Sequence, residues 1–391
     1  MRIIIAPDSF KGSATSLQVA QAIDTGLRRF GDTVDTTLVP MADGGEGTVE
    51  AVTDLLGGEI VAVTARDPLD RPVVAAYGWV AARRTAVIEL AAASGLPLLS
   101  DKLDPREAST YGTGDLIRDA LDRGAKHVIL GLGGSATVDA GTGLLASLGA
   151  RFLDARGKEL RGAGGALGHI ATIDLSGLDD RLRTLRVTIA SDVSSPLLGP
   201  EGAIAVFGPQ KGVTEEDHAF FEAGMAHFAE VVVRTSNVDQ RDAAGSGAAG
   251  GVGYLLRSFL DVEVRDGFSL ISEIADLKTS ITDADLVITG EGRLDGQSLV
   301  GKVPVNIARL AGAVGVPTVA VAGSIDGDLA TFREAGLAVV VPIVDRPMVL
   351  HEAMANGPAL IERAAARLMA TLQLGATIGV TGNRDEPRAH G

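Results

Sequence analysis

Between positions 285 and 312 the chain reads DLVITGEGRLDGQSLVGKVPVNIARLAG, setting Glu291, Arg293, Asp295, Gln297 and Lys302 among Gly290, Gly292, Gly296 and Gly301. Carboxylates hold a divalent metal, cations hold phosphate, and glycines let backbone come close to a ligand. The mixture suits Mg–phosphate handling. Against it stands a plain strand-to-helix turn with surface charges, and for an isolated loop the two readings weigh about equally. Other stretches tip the balance. APDSFKGSATS carries Asp8, Ser9, Lys11 and Ser13, and MADGGEGT carries Asp43, Glu46 and Thr48. GLGGSATVDAG offers Gly133, Gly134, Ser135 and Thr137, whose N–H groups and hydroxyls suit an anion-binding loop. Asp192 follows the apolar run at 187–190.

Each of these stretches follows a short β-branched run, and most precede a helical pattern. Strands are expected at 2–6, 36–40, 60–64, 126–130, 187–190, 285–289, 317–322 and 337–342. Helices are expected after residue 15, where Thr15 or Ser16 can cap, over 214–233 behind Thr214, and over 349–372. Residues 73–80 and 85–90 read instead as paired strands around a turn at Arg83 and Arg84. In an open parallel sheet, ligands sit beyond the carboxyl ends of the strands, where the polar glycine loops fall.

The 391 residues allow two or three domains, and 46% hydrophobic with only 4% aromatic content fits strands buried on both faces. A net charge of -15 argues against nucleic acid or an anionic membrane as partner. With no cysteine, disulfides and Cys-ligated metals are excluded, and the six histidines show no metal-ligand spacing. The opening MRIIIAPD reads as a strand and not a signal, and no apolar run approaches a membrane span, so a cytoplasmic protein is expected.

The expected fold class is α/β. Residues 1–66 and 280–380 share a parallel strand–loop–helix texture and are expected to form one discontinuous Rossmann-like domain. Residues 67–279 would be a mixed α/β domain inserted into it, with the ligand cleft between the two and a disordered tail at 382–391. One motif competes. Gly131, Gly133 and Ala136 satisfy the dinucleotide fingerprint after a strand, and Asp154 supplies its acid. With 50 glycines such matches arise easily.

The strings APDSFKGS, MADGGEGT, YGTGDLI, GLGGSATVDAGTG, SDVSSPLLGPEGA, FGPQKG, GSGAAGGVGY and ITGEGRLDGQSLVGKVP, in this order, resemble the glycerate kinase type 1 family over about residues 1–375. The chain departs from that family's pattern at Val138 and Ala140, where Asn and Gly are usual. It departs again at Ser191 and Ser195, where Cys and Asn are common. The resemblance implies ATP- and Mg2+-dependent phosphorylation of D-glycerate, usually giving 2-phosphoglycerate, on a two-domain α/β fold without a Walker P-loop. Phosphorylation at the 3-hydroxyl is the nearest alternative. A dinucleotide-dependent oxidoreductase of a small hydroxy acid and a non-catalytic sugar-acid sensor are the more distant ones. A homo-oligomer is compatible with the sequence.

Phosphoryl transfer asks for a proton acceptor at the substrate hydroxyl and for cations around the moving group. Asp192 is the first candidate base, Asp295 its rival, and Lys11 completes the catalytic set. Asp43, Glu291 and Asp295 are the candidate metal carboxylates. Ser9, Ser13, Gly133, Gly134, Ser135, Thr137, Arg293, Gln297 and Lys302 are the candidate substrate and phosphate contacts.

Overall fold

The computed structural model describes residues 1–30, 34–100 and 102–382, and contacts divide the chain into two compact units. One comprises residues 1–42 with 272 onward; the other comprises 43–271. Of the tail named above only Gly382 is described, as the last residue of a helix, and the rest lies outside the described residues.

The terminal unit is built on a five-stranded sheet in the order Leu337–Pro342, Thr318–Ile325, Leu286–Leu294, Arg2–Ile5, Asp35–Leu38, every pair parallel. Ile3, Ile5, Ile288 and Val321 face a core filled by Val19, Ile23 and Leu27 of helix Ser16–Arg28 and by Leu360, Ile361 and Leu368 of helix Gly357–Gly382. A second cluster of Leu294, Ala308, Ala320, Ala322 and Phe332 joins helix Val303–Gly312 to the sheet. Thr15 caps the first helix through a capping box, its side chain accepting from Gln18 N–H while the Gln18 side chain accepts from Thr15 N–H. The strand order reverses between Arg2–Ile5 and Leu286–Leu294, a topological switch point.

The central unit holds a six-stranded mixed sheet in the order Val262–Arg265, Arg186–Ala190, His127–Gly131, Thr85–Glu89, Pro72–Val80, Glu59–Arg66. The first four are parallel and the last two pair antiparallel. The hairpin expected around Arg83 and Arg84 is present, with Arg84 at φ 50°. A small antiparallel sheet, Arg151–Leu153, Glu159–Leu160 and Thr172–Asp174, completes the unit.

The division falls at 42/43 and 271/272, where the sequence suggested 66/67 and 279/280. Glu59–Arg66 pairs residue for residue with 72–79, so ARDPLDRP is a turn inside the central sheet. The Asp67 carboxylate closes that turn by accepting from Leu69 N–H at 2.8 Å and Arg71 N–H at 2.9 Å.

Candidate active site

In the terminal unit the switch point gathers two strand ends. Asp8 N–H donates to Gly290 O at 2.8 Å, continuing the parallel ladder past Ile5 and setting Asp8 beside Glu291 in register. Asp8 and Glu291 are both buried, and a Cβ on Gly292 would lie 3.4 Å from Phe10 Cα. The Glu291 carboxylate is unevenly used. Its Oε2 accepts from Lys302 Nζ at 3.4 Å, while Oε1 is buried without a partner. Burial raises its pKa, with Ser298 and Lys302 opposing. The Ser9 hydroxyl is likewise buried without a partner. Lys302 is the N-cap residue of helix Val303–Gly312. A cation there opposes the helix dipole, so a neighbouring carboxylate or a bound anion is needed to favour it.

The strand read as ending near Thr289 runs on to Leu294, because Glu291 pairs with Ala322 and Arg293 with Ser324. Glu291 and Arg293 therefore ride on a strand rather than in a loop. Arg293 is turned outward and paired with Asp326 at 2.6 Å and Asp295 at 3.3 Å. The Asp295 carboxylate closes the following turn, accepting from Gln297 N–H at 2.9 Å and Ser298 N–H at 3.3 Å. That is the plain-turn use of this residue, and it leaves less of the carboxylate to act as base or metal ligand. Ser13 donates to Met354 O at 2.7 Å and is a tether between segments. Lys11 and Gln297 are exposed.

In the central unit four parallel strands end in one row, with Glu89 opposite Gly131, Gly131 opposite Ala190, and Ala190 opposite Arg265. The loop 43–47 lies across that row. A Cβ on Gly44 would approach Ala190 O to 3.1 Å, and one on Gly133 would approach Gly45 Cα to 2.9 Å. One on Gly267 would overlap Asp43 O, so close backbone approach requires these glycines.

Three carboxylates meet here. Asp192 Oδ1 accepts from Gly267 N–H at 2.9 Å, and Asp43 Oδ1 accepts from Gly45 N–H at 3.1 Å. Partial burial pushes Asp192 up to about 6; the Gly267 N–H opposes this, while Asp266 and Asp43 reinforce it. Asp266 shifts the other way, held down by Ser269 and by Asp192 against its own burial. The pair therefore shares its first proton on Asp192, which keeps an edge accessible to solvent.

Glu89 stands at the other end of the row and accepts from Val49 N–H at 3.0 Å at the start of helix Thr48–Leu55. Gly47, the N-cap residue, has no side chain to do so. Burial pushes Glu89 up to about 7, against the N–H groups of Val49, Thr48 and Gly47. The anion place at this helix start is thus filled by the protein itself.

The segment 133–137 is strapped on several sides. Leu96 N–H donates to Gly134 O and Ala136 N–H donates to Ser94 O, both at 2.9 Å. Lys211 Nζ, buried beneath, donates to Ser135 Oγ at 2.7 Å and to Thr137 O at 2.9 Å. Ser135 is therefore a receiver of Lys211 as much as a ligand contact. The Thr137 hydroxyl is buried without a partner, and Gly133 and Gly134 remain exposed. Asp139, fully buried, accepts from Thr110 N–H and Oγ1 and from Gly141 and Gly143 N–H.

The dinucleotide reading loses its acid. Asp154 lies in the small antiparallel sheet's hairpin, accepting from Arg156 N–H at 2.8 Å and Lys158 N–H at 2.9 Å. Glu89, Asp266 and Lys211 had no assigned role in the sequence reading. Asp266 and Glu89 carried a signal like that of Asp192, an acid at the end of a β-branched run; Lys211 gave none. Asp43 belongs to the central unit and Glu291 with Asp295 to the terminal one. Among the described residues no group of three or more His, Asp or Glu side chains is spaced to hold a metal ion.

An α/β chain that presents glycine loops, paired carboxylates and a Lys-paired glutamate at parallel strand ends has the parts of a phosphotransferase. Comparison with known proteins narrows this. The glycerate kinase family model matches residues 3–373. A glycerate kinase from Bacillus subtilis (strain 168) is 43% identical over 379 residues, covering 97% of this chain and 99% of the relative. A glycerate 2-kinase from Escherichia coli (strain K12) is 42% identical over 376 residues, 96% of this chain and 99% of that one. The crystal structure described as glycerate kinase 2 from Salmonella typhimurium LT2 superposes with a TM-score of 0.86 at 42% identity, covering 96% of this chain and 99% of the other. The chain belongs to the glycerate kinase family. No helix among the described residues is long and apolar enough to cross a membrane.

Proposed function

We propose that this chain transfers the γ-phosphoryl group of ATP to the 2-hydroxyl of D-glycerate, with Mg2+, giving 2-phosphoglycerate and ADP. The observation that carries the reading is the strand-end carboxylate Asp192. It keeps an accessible edge, titrates at about 6 and has Asp266 and Asp43 beside it. Such a group is ionised at neutral pH yet more basic than an ordinary aspartate, which suits a general base. Asp192 accepts the hydroxyl proton as the glycerate oxygen forms its bond to phosphorus and the bond to the β-phosphate oxygen breaks. Gly267 N–H orients the carboxylate, and Asp266 keeps it basic.

The residues present fit a magnesium nucleotide. Mg2+ is commonly held by one or two carboxylates together with waters and substrate phosphates, so a preformed cage of three is not required. The unpartnered Glu291 Oε1 and the unpartnered Ser9 hydroxyl are a free acceptor and a free donor near the switch-point strand pair of the terminal unit. Lys302 is placed to pair with phosphate, and Asp43 remains a candidate ligand in the central unit. When bound, the metal supplies charge neutralisation for the moving phosphoryl group. Arg293 and Lys11 are outlying cations, and Asp295 serves to shape the turn after Leu294.

The test is an assay with ATP, Mg2+ and D-glycerate, with the product read through enolase and pyruvate kinase. Immediate signal supports the 2-phosphate. Signal only after phosphoglycerate mutase is added would make the product the 3-phosphate. Absence of D-glycerate-dependent ADP release refutes the proposal.

A further inference from the structure

Lys211 is a costly residue where it stands. Its side chain is 2% exposed at the end of the short turn Pro209–Lys211, and no carboxylate lies within ion-pair distance among the contacts of the described residues. The opposite charge that it feels is that of Asp139, which is itself satisfied by three backbone N–H groups and the Thr110 hydroxyl. Burial pushes the ammonium down to about 7. A methionine of similar length would fill such a space without the desolvation cost. The charge therefore calls for a reason beyond packing.

Both hydrogen bonds from Lys211 go to one segment, Ser135 Oγ and Thr137 O. That segment is already held by residues 94–96 and by Gly250, whose lack of a Cβ lets it sit against Thr137 O. Just before Ser135 the chain turns through Gly133 and Gly134, the latter at φ 70°, and both are exposed at the carboxyl end of His127–Gly131. A left-handed glycine in such a turn points successive N–H groups to one side, the concave geometry that binds anions. Lys211, hydrogen-bonded to Ser135 and Thr137 of the same loop, adds positive charge in its protonated form, and a bound anion favours that form.

We propose that Lys211 is a positioning residue that shapes the 133–137 loop and backs it with charge, so that the loop binds an oxyanion of the substrates, either the D-glycerate carboxylate or a nucleotide phosphate. The proposal rests on the kinase reading above. Lys211 acts through the loop and does not touch the reacting atoms.

The experiment is calorimetric binding of D-glycerate and, separately, of a Mg2+ complex of a non-hydrolysable ATP analogue, to the full-length wild type, K211M and S135A. KM and kcat are measured alongside, and Trp79 fluorescence checks the fold. K211M is expected to weaken one of the two ligands at least about tenfold, leaving the other within about twofold, with KM for that ligand rising more than kcat falls. S135A is expected to weaken the same ligand less. The ligand affected identifies the oxyanion. Unchanged affinities in K211M, or equal weakening of both in step with loss of folded protein, overturn the proposal. If K211M does not fold, S135A decides: a selective loss supports the proposal and none overturns it. Wild type that binds neither ligand and shows no turnover fails the kinase reading itself and takes this one with it.

Discussion

Replacing Glu89 by Gln should remove a pH dependence of stability that the central unit owes to one buried carboxyl. Glu89 titrates near 4.5 when unperturbed and at about 7 in the folded chain. Between those pH values the folded chain holds a proton that the unfolded chain has released. Stability from this group therefore falls as pH rises from about 4.5 to 7 and is level above. A shift of this size corresponds to a ceiling of about 3 kcal/mol. Water at the carboxyl edge and relaxation of the helix start lower it, so about 1–2 kcal/mol is the expected loss between pH 5 and 8.

Gln keeps the shape and a carbonyl oxygen that can accept from Val49 N–H, but carries no charge to desolvate. E89Q should match the wild type near pH 5 and exceed it by about 1–2 kcal/mol at pH 8. Urea unfolding followed by fluorescence of the single tryptophan is the assay, since Trp79 lies in Pro72–Val80 of the same unit. Taking the difference between variant and wild type at each pH cancels the other groups, Lys211 and Asp192 included. A difference that is the same at pH 5 and pH 8, or a variant weaker at pH 8, would refute the buried-charge account of Glu89.

Two further outcomes test the catalytic reading. Asp192→Asn should lower kcat at least about a hundredfold with KM little moved, because it removes the proton acceptor and keeps the shape; turnover near normal would strip Asp192 of that role. Glu291→Gln should raise the Mg2+ concentration for half-maximal activity about tenfold, as the unpartnered oxygen loses its charge. An unchanged Mg2+ titration would place the metal away from Glu291.

The strands were legible because a β-branched run is a local signal, and an acid near such a run, as at Asp192 and Glu291, drew attention to the site; where the strand through Glu291 ends was not legible. What lay hidden depends on partners remote in sequence. Glu89 sits inside the run TAVIEL, and only the fold brings it to Val49, 40 residues away. Lys211 reads as a surface charge in a glycine turn, yet its acceptors are 76 and 74 residues away. The boundary at 66/67 failed for a related reason. A Pro- and Asp-rich break separates domains or closes a hairpin with equal ease, and strand pairing across 59–80 decides for the hairpin. Asp295 shows a competing use: its type suits a metal or a base, and in the fold its own loop's N–H groups also engage it.

Glycine patterns mislead most when their physical cause is left out. Gly131 and Gly133 match a dinucleotide fingerprint, and the same two residues are needed here because the backbone of Gly44 and Gly45 passes over them. The fingerprint asks for an acid at the end of the next parallel strand, within reach of a ribose. Asp154 instead follows an antiparallel strand and spends its carboxylate on its own hairpin. The spacing was therefore right and the cause different: these glycines admit another segment of the same chain, one that carries Asp43 to the side of Asp192 and Asp266. A glycine string identifies a place of close approach. What approaches has to be read from the carboxylates, cations and unpartnered polar atoms beside it.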